Sequence, residues 1–347
     1  TLDGVTINKT AGATSNTENG DFYGMNAGFL ATDGATVTIK NATVNTTAQN
    51  GNGVFSYGSG TTVNVSDTSI TTTKDIQTTG GGTMNATNLT VNTAGNSSAA
   101  IRTDRGGGTV VVDKGTYTST GYNSPAVYST ANVTVKNATL NAENSEALVI
   151  EGQNSITLEN TNVTGNMSSP EGSSSDNNVH NVMIYQSMSG DAESGTATFT
   201  MKGGTLTGRN GDQIYVTNTH SVITLEDVTI TNQDTSGRLL AVLGNDATLG
   251  WGTAGANGGQ VELTTTNQTL TGAIEVDTVS TLNFTMGKGT NFTGTINIVE
   301  NAEGGTAVDN NAVITVEEGA TWTLTGNVKI TSLTNKGTIN LNGYTIT

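Results

Sequence analysis

The stretch Asn132–Gly165 reads NVTVKNATLNAENSEALVIEGQNSITLENTNVTG. Val133 and Val135 alternate with polar residues, a two-residue break follows, and the alternation resumes at Leu140. The same pattern returns at Val163, 23 residues after Leu140. Alternation with a period of two predicts short strands that each bury one face. One such unit cannot bury its apolar face alone, so the stretch predicts a solenoid of stacked units.

The unit recurs along most of the chain, with about 23 residues and three short strands per coil. The apolar residue that follows the break occurs at Val44, Ile70, Val91, Tyr117, Leu140, Val163, Leu206 and Ile230. The break itself contains Asn, Asp or Gly, as in Lys40-Asn41 and Ser66-Asp67. These residues tolerate the left-handed backbone conformation, so we expect a sharp corner between two strands there. The fold class predicted from the repeat is an all-β helix built of parallel strands.

The remaining strand of each coil has an aliphatic residue, Phe or Met at its second position, which we expect to point inward. The third position should then point outward. That position is occupied by Leu30, Phe55, Arg102, Tyr128, Ile150, Ile184 and Tyr215. Such a large outward stripe has two interpretations. An insertion loop such as 166–181 covers it, or it is a platform that binds a sugar or a protein.

The texture of the repeat changes near residue 240. Coils are regular over 1–238, whereas 239–347 contains a second repeat, in which Leu270, Phe292 and Leu324 each precede Thr-Gly. No linker separates the two parts, so we predict one β-helix domain over 1–347. Stretches rich in Gly, Ser, Asn or Asp predict insertion loops at 10–24, 166–181, 187–195, 244–259 and about 300–311.

The chain of 347 residues has a formal net charge of −16. Because phosphate neutralisation drives nucleic-acid binding, this charge disfavours nucleic acid, and it also disfavours an anionic membrane surface. The sequence contains no cysteine, which suits a chain exported unfolded, and no apolar run long enough to span a membrane. It starts at Thr1 in mid-pattern without a signal peptide, so we expect a mature or trimmed fragment with no direct membrane insertion.

The coils rich in Thr and Asn, followed by TWTLTG at 321–326 and LTNKGTI at 333–339, resemble the passenger domain of a Gram-negative type V autotransporter adhesin of the AIDA type. The resemblance implies a right-handed parallel β-helix that is exported through an outer-membrane barrel. It also implies a location at the bacterial cell surface, tethered by a C-terminal barrel that is not present in this chain. Members of that class bind glycosaminoglycans and fibronectin.

An enzyme is the main alternative class, because pectin-lyase-like enzymes share the coil pattern. Arg102-Thr103-Asp104-Arg105, with Asp113 and Lys114, is the only local concentration of both charge signs. Its simpler interpretation is a solvated loop with surface ion pairs. No pair of carboxylates recurs at matching positions of adjacent coils, as glycoside hydrolysis requires. We therefore predict a chain that is not an enzyme and has no catalytic residue, metal site or cofactor.

The predicted function is adhesion to a host extracellular-matrix protein or glycan, with self-association and polysaccharide degradation as alternatives. Aromatic faces stack on sugar rings, and a planar Arg pairs with sulfate or carboxylate groups. The net charge of −16 limits contact with a polyanionic glycan to a local basic spot. The candidate ligand-binding residues are Phe55, Arg102, Asp104, Arg105, Lys114, Tyr128 and Tyr215.

Overall fold

A computed structural model of the chain describes residues 1–170 and 176–347. The chain divides into two compact units. Unit 1 comprises Thr1–Ile150 and Asn154–Glu171, and unit 2 comprises Glu151–Gln153 and Gly172–Thr347. The predicted loop 166–181 lies partly outside the described residues. The prediction of one domain over 1–347 stays a prediction.

Unit 1 contains one short helix and eighteen strands in its described residues. They are β1 Leu2–Asp3, β2 Thr6–Lys9, α1 Thr17–Tyr23, β3 Phe29–Ala31, β4 Thr36–Lys40, β5 Thr43–Thr46, β6 Val54–Tyr57, β7 Thr62–Ser66, β8 Ser69–Thr72, β9 Ile76–Thr79, β10 Gly82–Thr93, β11 Ile101–Thr103, β12 Gly108–Ser119, β13 Val127–Ser129, β14 Asn132–Lys136, β15 Thr139–Ala142, β16 Leu148–Glu151, β17 Ser155–Glu159 and β18 Asn162–Gly165.

Unit 2 contains fifteen strands in its described residues. They are β19 His180–Tyr185, β20 Thr196–Lys202, β21 Thr205–Gly208, β22 Asp212–Thr217, β23 His220–Glu226, β24 Thr229–Asn232, β25 Leu240–Val242, β26 Gln260–Thr266, β27 Thr269–Asp277, β28 Thr281–Met286, β29 Asn291–Val299, β30 Ala312–Val316, β31 Thr321–Thr323, β32 Ser332–Asn335 and β33 Thr338–Asn340.

Each regular coil of unit 1 contributes two strand segments to a first sheet and one strand to a second sheet, and the pairing is parallel throughout. The residues after the break pair in register from coil to coil: Val44 with Ile70, Ile70 with Val91, Val91 with Tyr117, Tyr117 with Leu140, and Leu140 with Val163. The all-β parallel helix with three strands per coil and insertion loops is therefore confirmed.

The inward residues of these columns form the core of unit 1. Val44, Ile70, Val91, Tyr117 and Leu140 all have no solvent exposure. Because both sheets present an apolar column to the interior and each coil covers the next, stacking buries surface that one coil alone would expose.

The corner inside the first sheet has the left-handed backbone that the sequence predicts. One residue per coil takes a φ between 46° and 66° there, and the column consists of Asn41, Asp67, Asn88, Lys114, Asn137 and Asn160. Neighbouring coils are tied by side-chain amides that donate to carboxylates, as from Asn88 to Asp67 at 2.8 Å. Three corner amides, those of Asn41, Asn88 and Asn137, thus tie their coil to a carboxylate of the preceding coil.

The insertion at 10–24 contains helix α1, which the sequence pattern did not predict. Asn16 precedes the helix, and its side-chain oxygen accepts a hydrogen bond from the Asn19 amide at 3.0 Å. Gly24 ends the helix with a φ of 68°. Both are ordinary helix-capping residues, but a helix of seven residues is too short to show a periodic apolar stripe.

The described coils of unit 2 are also parallel. Its first sheet pairs β20 with β23, β23 with β26, β26 with β28 and β28 with β30. Its second sheet runs from β19 through β22, β25, β27, β29 and β31 to β33. The change of repeat near residue 240 falls inside unit 2, where β27 and β29 become long strands of nine residues.

Three details of the predicted register are wrong. Tyr128 pairs with Val149 and Met183 pairs with Tyr215, so Ile150 and Ile184 lie on the inward side of their strands. Uniformly apolar strands such as LVIE and VMIY contain no alternation that distinguishes the two faces. In addition, Trp322 pairs with Phe292, which displaces the last Leu-Thr-Gly repeat by two residues from the predicted alignment.

Candidate functional site

Four of the predicted ligand-binding residues lie together in unit 1, around helix α1. Arg102 lies on β11, Asp104 and Arg105 follow it, and Tyr128 lies on the neighbouring strand β13. Contacts from α1 cover Arg102 and Arg105. We call the group formed by Glu18, Asp21, Phe22, Lys74, Arg102 and Arg105 the α1 clamp.

Arg102 is at the centre of the α1 clamp. Its guanidinium donates to Asp104 Oδ2 from Nη2 at 2.6 Å and from Nε at 3.1 Å. Nη1 lies 3.7 Å from Asp75 Oδ2. The guanidinium carbon also lies 5.7 Å from the ring centre of Phe22 and 5.6 Å from that of Tyr128. These contacts satisfy Arg102 within the protein, so it is a structural cation that joins the sheet to α1.

Two further ion pairs hold α1 on the sheet. Lys74 Nζ lies 3.2 Å from Asp21 Oδ1, and both side chains are mostly buried. Arg105 pairs with Glu18 and lies 4.1 Å above the ring of Phe22. Since the Arg105 and Glu18 side chains remain 42% and 55% exposed, that pair contributes less than the buried one.

Phe55 is not part of an exposed platform. It has no solvent exposure, and it lies directly below the end of α1. A Cβ atom placed on Gly24 would be only 2.7 Å from the Phe55 ring. The interpretation that an insertion covers the stripe is therefore correct for Phe55, although the covering segment is 10–24. The residue is core because α1 removes it from water.

Tyr215 is likewise buried, in unit 2, and is only 2% exposed. Its hydroxyl donates to Asp176 Oδ2 at 2.7 Å, and its ring lies 5.5 Å from that of His180. Burial raises the pKa of Tyr215 well above its ordinary value. A phenol that is buried and hydrogen-bonded in this way has no face left for a sugar.

Lys114 is exposed but lies apart from the other basic residues. It occupies the left-handed corner within β12 of the first sheet, whereas Arg102 belongs to β11 of the second sheet. The predicted basic spot of Arg102, Arg105 and Lys114 therefore does not form. Alternation alone did not reveal this, because the corner separates residues that are close in sequence onto different sheets.

A buried polar network lies beside the α1 clamp, on a strand that the sequence pattern missed. Strand β9 pairs with both β6 and β11, and it places Gln77 between Phe55 and Arg102 in the outward column. Asp75, just before β9, has no exposure and accepts a hydrogen bond from the Asn52 amide. Burial raises the pKa of Asp75 to about 6, although Arg102 and Lys74 oppose the rise.

Unit 2 has a cluster of comparable burial around His180. The imidazole has no exposure, and its Nδ1 lies 3.1 Å from Asn178 Oδ1. Burial lowers the pKa of His180 to about 4, with Asp212 acting in the opposite direction. Arg238 joins Asp212 and Glu275 with Nη–O distances of 2.7 and 2.6 Å. Asn178 is only two residues from His180, whereas Asp212 and Arg238 are far from it in the chain, so the sequence pattern did not indicate this cluster.

The most regular exposed surface of unit 1 is the outer side of the strands that follow the corner. Two outward columns run along β2, β5, β8, β10, β12, β15 and β18. One column is Thr6, Thr43, Ser69, Thr90, Thr116, Thr139 and Asn162, and the other is Asn8, Asn45, Thr71, Asn92, Thr118, Asn141 and Thr164. We call these two columns the polar face.

The polar face is uncharged and accessible. All of its fourteen members are Thr, Ser or Asn, and every one is exposed or half-buried. Neighbouring strands lie about 4.8 Å apart, so hydroxyl and amide groups repeat at that spacing. Each hydroxyl both donates and accepts, and so does each amide. The sequence signal is the recurrent Thr-x-Asn or Thr-x-Thr triplet after the break, which periodicity analysis assigns to strand without assigning it a role.

A metal-binding cluster and a membrane-spanning helix were both sought in the described residues. Within residues 1–170 and 176–347, no group of three His, Asp or Glu side chains is arranged to hold a metal ion. None of the helices in that part of the chain is long and apolar enough to cross a membrane. Comparisons with protein-family models, curated proteins and solved structures gave no match.

Proposed function

We propose that this chain is the binding scaffold of a bacterial cell-surface adhesin. It contacts extracellular-matrix proteins such as fibronectin, or cell-surface glycans, through the exposed sides of its parallel β-helix. The polar face of unit 1 carries the proposal. It is a long surface whose hydroxyl and amide groups repeat in register and are free of competing charges, as a side-by-side contact with an extended partner requires.

The charge distribution narrows the range of partners. The net charge is −16, and the basic residues of the α1 clamp, Lys74, Arg102 and Arg105, are engaged with acidic residues. A sulfated glycosaminoglycan would need a cluster of free cations to offset its own charge. Neutral glycans and protein partners therefore fit this scaffold better than polyanionic ones.

Self-association is a second candidate that the same face favours. Its Asn and Thr side chains are complementary to themselves, because each can donate to and accept from an identical group. Within one chain, the Asn45 amide already donates to Asn8 Oδ1 at 3.0 Å on this face. The same geometry between two chains would join cells that display the protein.

The test compares adhesion and aggregation of cells that display the chain. Thr90 and Thr116 are exposed neighbours on the polar face, and Thr90→Lys with Thr116→Lys places two like charges on it. We expect at least a tenfold loss of binding to matrix-coated plates, or of aggregation if self-association is the function. Thr36→Lys with Thr109→Lys adds the same charges on the strands before the corner and serves as the control. Equal loss in both variants, or in neither, would contradict a role for the polar face.

A further inference from the structure

A groove on unit 2 has a composition that none of the preceding sites shares. Its floor is the outer side of β23, β26 and β28, where His220 pairs in register with Gln260, and Gln260 with Thr281. Glu262 and Asn283 form the next outward column. The groove has a volume of about 470 Å³, which is within the usual range of ligand sites, and it is open along one side.

The loop 300–311 forms the wall of this groove and contributes Asp309 and Asn310 to its lining. The Asn311 amide holds the loop by donating to the carbonyls of Thr278 and Ser280 at 3.1 and 2.8 Å. The Val308 amide also donates to the Thr278 carbonyl at 2.8 Å. These contacts hold the wall in place before any ligand arrives, so little ordering entropy remains to oppose binding.

The wall is anchored from a second side by Asn301. Its side-chain amide donates to Asp277 Oδ2 at 2.6 Å, and its side-chain oxygen accepts from the Glu303 amide at 3.0 Å. Asn301 is only 7% exposed. Since both ends of the loop are attached to the same turn after β27, the position of Asp309 relative to the floor is well defined.

Several polar groups of the groove are available to a ligand. The side-chain amides of Gln260, Asn283 and Asn310 make no hydrogen bond within the part of the chain that the structure describes. Glu262 Oε1 lies 3.4 Å from His220 Nε2 and keeps a 59% exposed side chain. Val313 is half-buried and offers a small apolar surface next to them.

This set of groups selects against anions and in favour of hydroxyl groups. Two carboxylates, Glu262 and Asp309, line the groove, and its only basic residue, His220, is already beside Glu262. Carboxylates accept hydrogen bonds from ligand hydroxyls, and side-chain amides both donate and accept. A sulfate or uronate group would meet electrostatic repulsion instead. The apolar edge of Val313 suits the C–H face of a sugar ring.

We propose that this groove binds a neutral glycan segment of hexose or N-acetylhexosamine units, which lies across strands β23, β26 and β28. The proposal rests on the adhesin function proposed above and specifies the class of glycan that the protein recognises. Because the groove is open along one side, the ligand is a stretch of an extended chain.

The experiment measures binding of the purified chain to immobilised neutral glycans and to heparin as a sulfated comparison. Asn283→Ala with Asp309→Ala removes an amide from the floor and a carboxylate from the wall of the groove. Asn291→Ala with Glu318→Ala removes the same kinds of group from exposed positions of unit 2 outside it. We expect neutral glycans to bind the unmodified chain and the control, with at least a tenfold loss for the groove variant and no heparin binding.

Different experimental results would contradict the groove proposal and the adhesin proposal. Unchanged glycan binding by the groove variant, or preference of the unmodified chain for heparin, would overturn the groove and leave adhesion intact. Adhesion to matrix protein without binding to any glycan would likewise overturn only the groove. If the displayed chain neither adheres to matrix nor binds glycans, both proposals are wrong. Val313→Lys, which fills the groove without removing a hydrogen-bonding group, should reproduce the loss.

Discussion

Units 1 and 2 both bury the same column of the second sheet, but they bury opposite kinds of titratable group beside it. In unit 1, α1 covers Phe55, and the adjacent carboxylate of Asp75 has a pKa raised to about 6. In unit 2, Tyr215 is buried beside His180, whose pKa is lowered to about 4. Burial disfavours the charged form in both cases, so Asp75 and His180 should make opposite contributions to the acid response of their units.

The two units also differ in how deeply their paired arginine and its carboxylate partners are buried. Arg102 is 17% exposed and binds carboxylates that are almost fully buried, Asp104 and Asp75. Arg238 is 25% exposed, and one of its two partners, Glu275, keeps a 35% exposed side chain. Removing the arginine should therefore destabilise unit 1 more than unit 2, because water can solvate the Glu275 carboxylate that remains in unit 2.

The largest effect is expected for Arg102→Ala. The variant leaves two buried carboxylates without their cation, which we expect to destabilise unit 1 by ~3–5 kcal/mol. Hydrogen exchange over residues 17–23 and 100–105 should rise together, because α1 loses its central contact. Arg238→Ala should lower the stability of unit 2 by a smaller amount. Equal effects of the two substitutions in urea unfolding would contradict the comparison.

Arg105→Ala is the matched control within the α1 clamp. Its partner Glu18 is 55% exposed, and such a pair contributes at most ~1 kcal/mol. A loss as large as that of Arg102→Ala would show that α1 depends on its surface contacts instead of its buried ones.

The next largest effect is expected for His180→Gln, which should change how the stability of unit 2 depends on pH. The pKa of His180 is about 4 in the folded protein against 6.5 ordinarily, so the unfolded state binds the proton more tightly. The free energy of unfolding that depends on neutral His180 is thus fully present above pH 6.5. It falls by roughly 3 kcal/mol as the pH drops to 4. Gln does not titrate there, so the variant should lose that part of the acid sensitivity.

Tryptophan fluorescence suits this measurement, because both tryptophans of the chain, Trp251 and Trp322, belong to unit 2. Trp251 is buried against Tyr185, with ring centres 4.7 Å apart. The readout is the difference in urea midpoint between pH 7 and pH 4.5. A variant that keeps the full pH dependence would show that other groups cause it.

The fold was predictable because each coil repeats the same local sequence pattern. Alternation marks the strands, and a residue that tolerates positive φ, such as Asn41 or Asn137, marks the corner. Register was wrong where alternation disappears, as in Leu148–Glu151, and by two residues at Trp322. A strand as polar as Ile76–Thr79 was missed altogether. In those strands the tertiary pairing decides which side faces inward, and one chain's pattern does not contain that information.

The candidate site was less predictable, because covering segments decide exposure. Alternation correctly assigned Phe55 and Tyr215 to the outward side of their strands. Whether an outward residue meets water depends on segments outside the repeat, namely α1 and the segment that includes Asp176. Neither follows the period of the coils. The sequence offered 166–181 as a cover only as one of two interpretations, and it did not indicate that α1 would pack over Phe55.

The smallest of the pH effects is expected for Asp75→Asn. The folded pKa of about 6 exceeds the ordinary value of 3.8, so the folded state binds the proton more tightly than the unfolded state does. The cost of burying the charge is present above pH 6 and disappears as the pH falls toward 3.8. Asn removes that cost but also deprives Arg102 of one neighbouring carboxylate, so we expect a net gain of ~2 kcal/mol at pH 7.5.

Most of the gain should vanish near pH 4, where Asp75 is protonated in the folded state and partly protonated in the unfolded state. Hydrogen exchange of unit 1 at the two pH values separates this effect from any change in unit 2, and Gln77→Glu provides a second variant with the opposite expectation. Glu would add a carboxylate to the same buried network, and it should make unit 1 less stable at pH 7.5 than at pH 5. At neutral pH, a gain of unit 1 stability for Asp75→Asn and a loss for Gln77→Glu would identify the buried negative charge as the cause. The two substitutions alter packing in similar ways but alter charge in opposite ways.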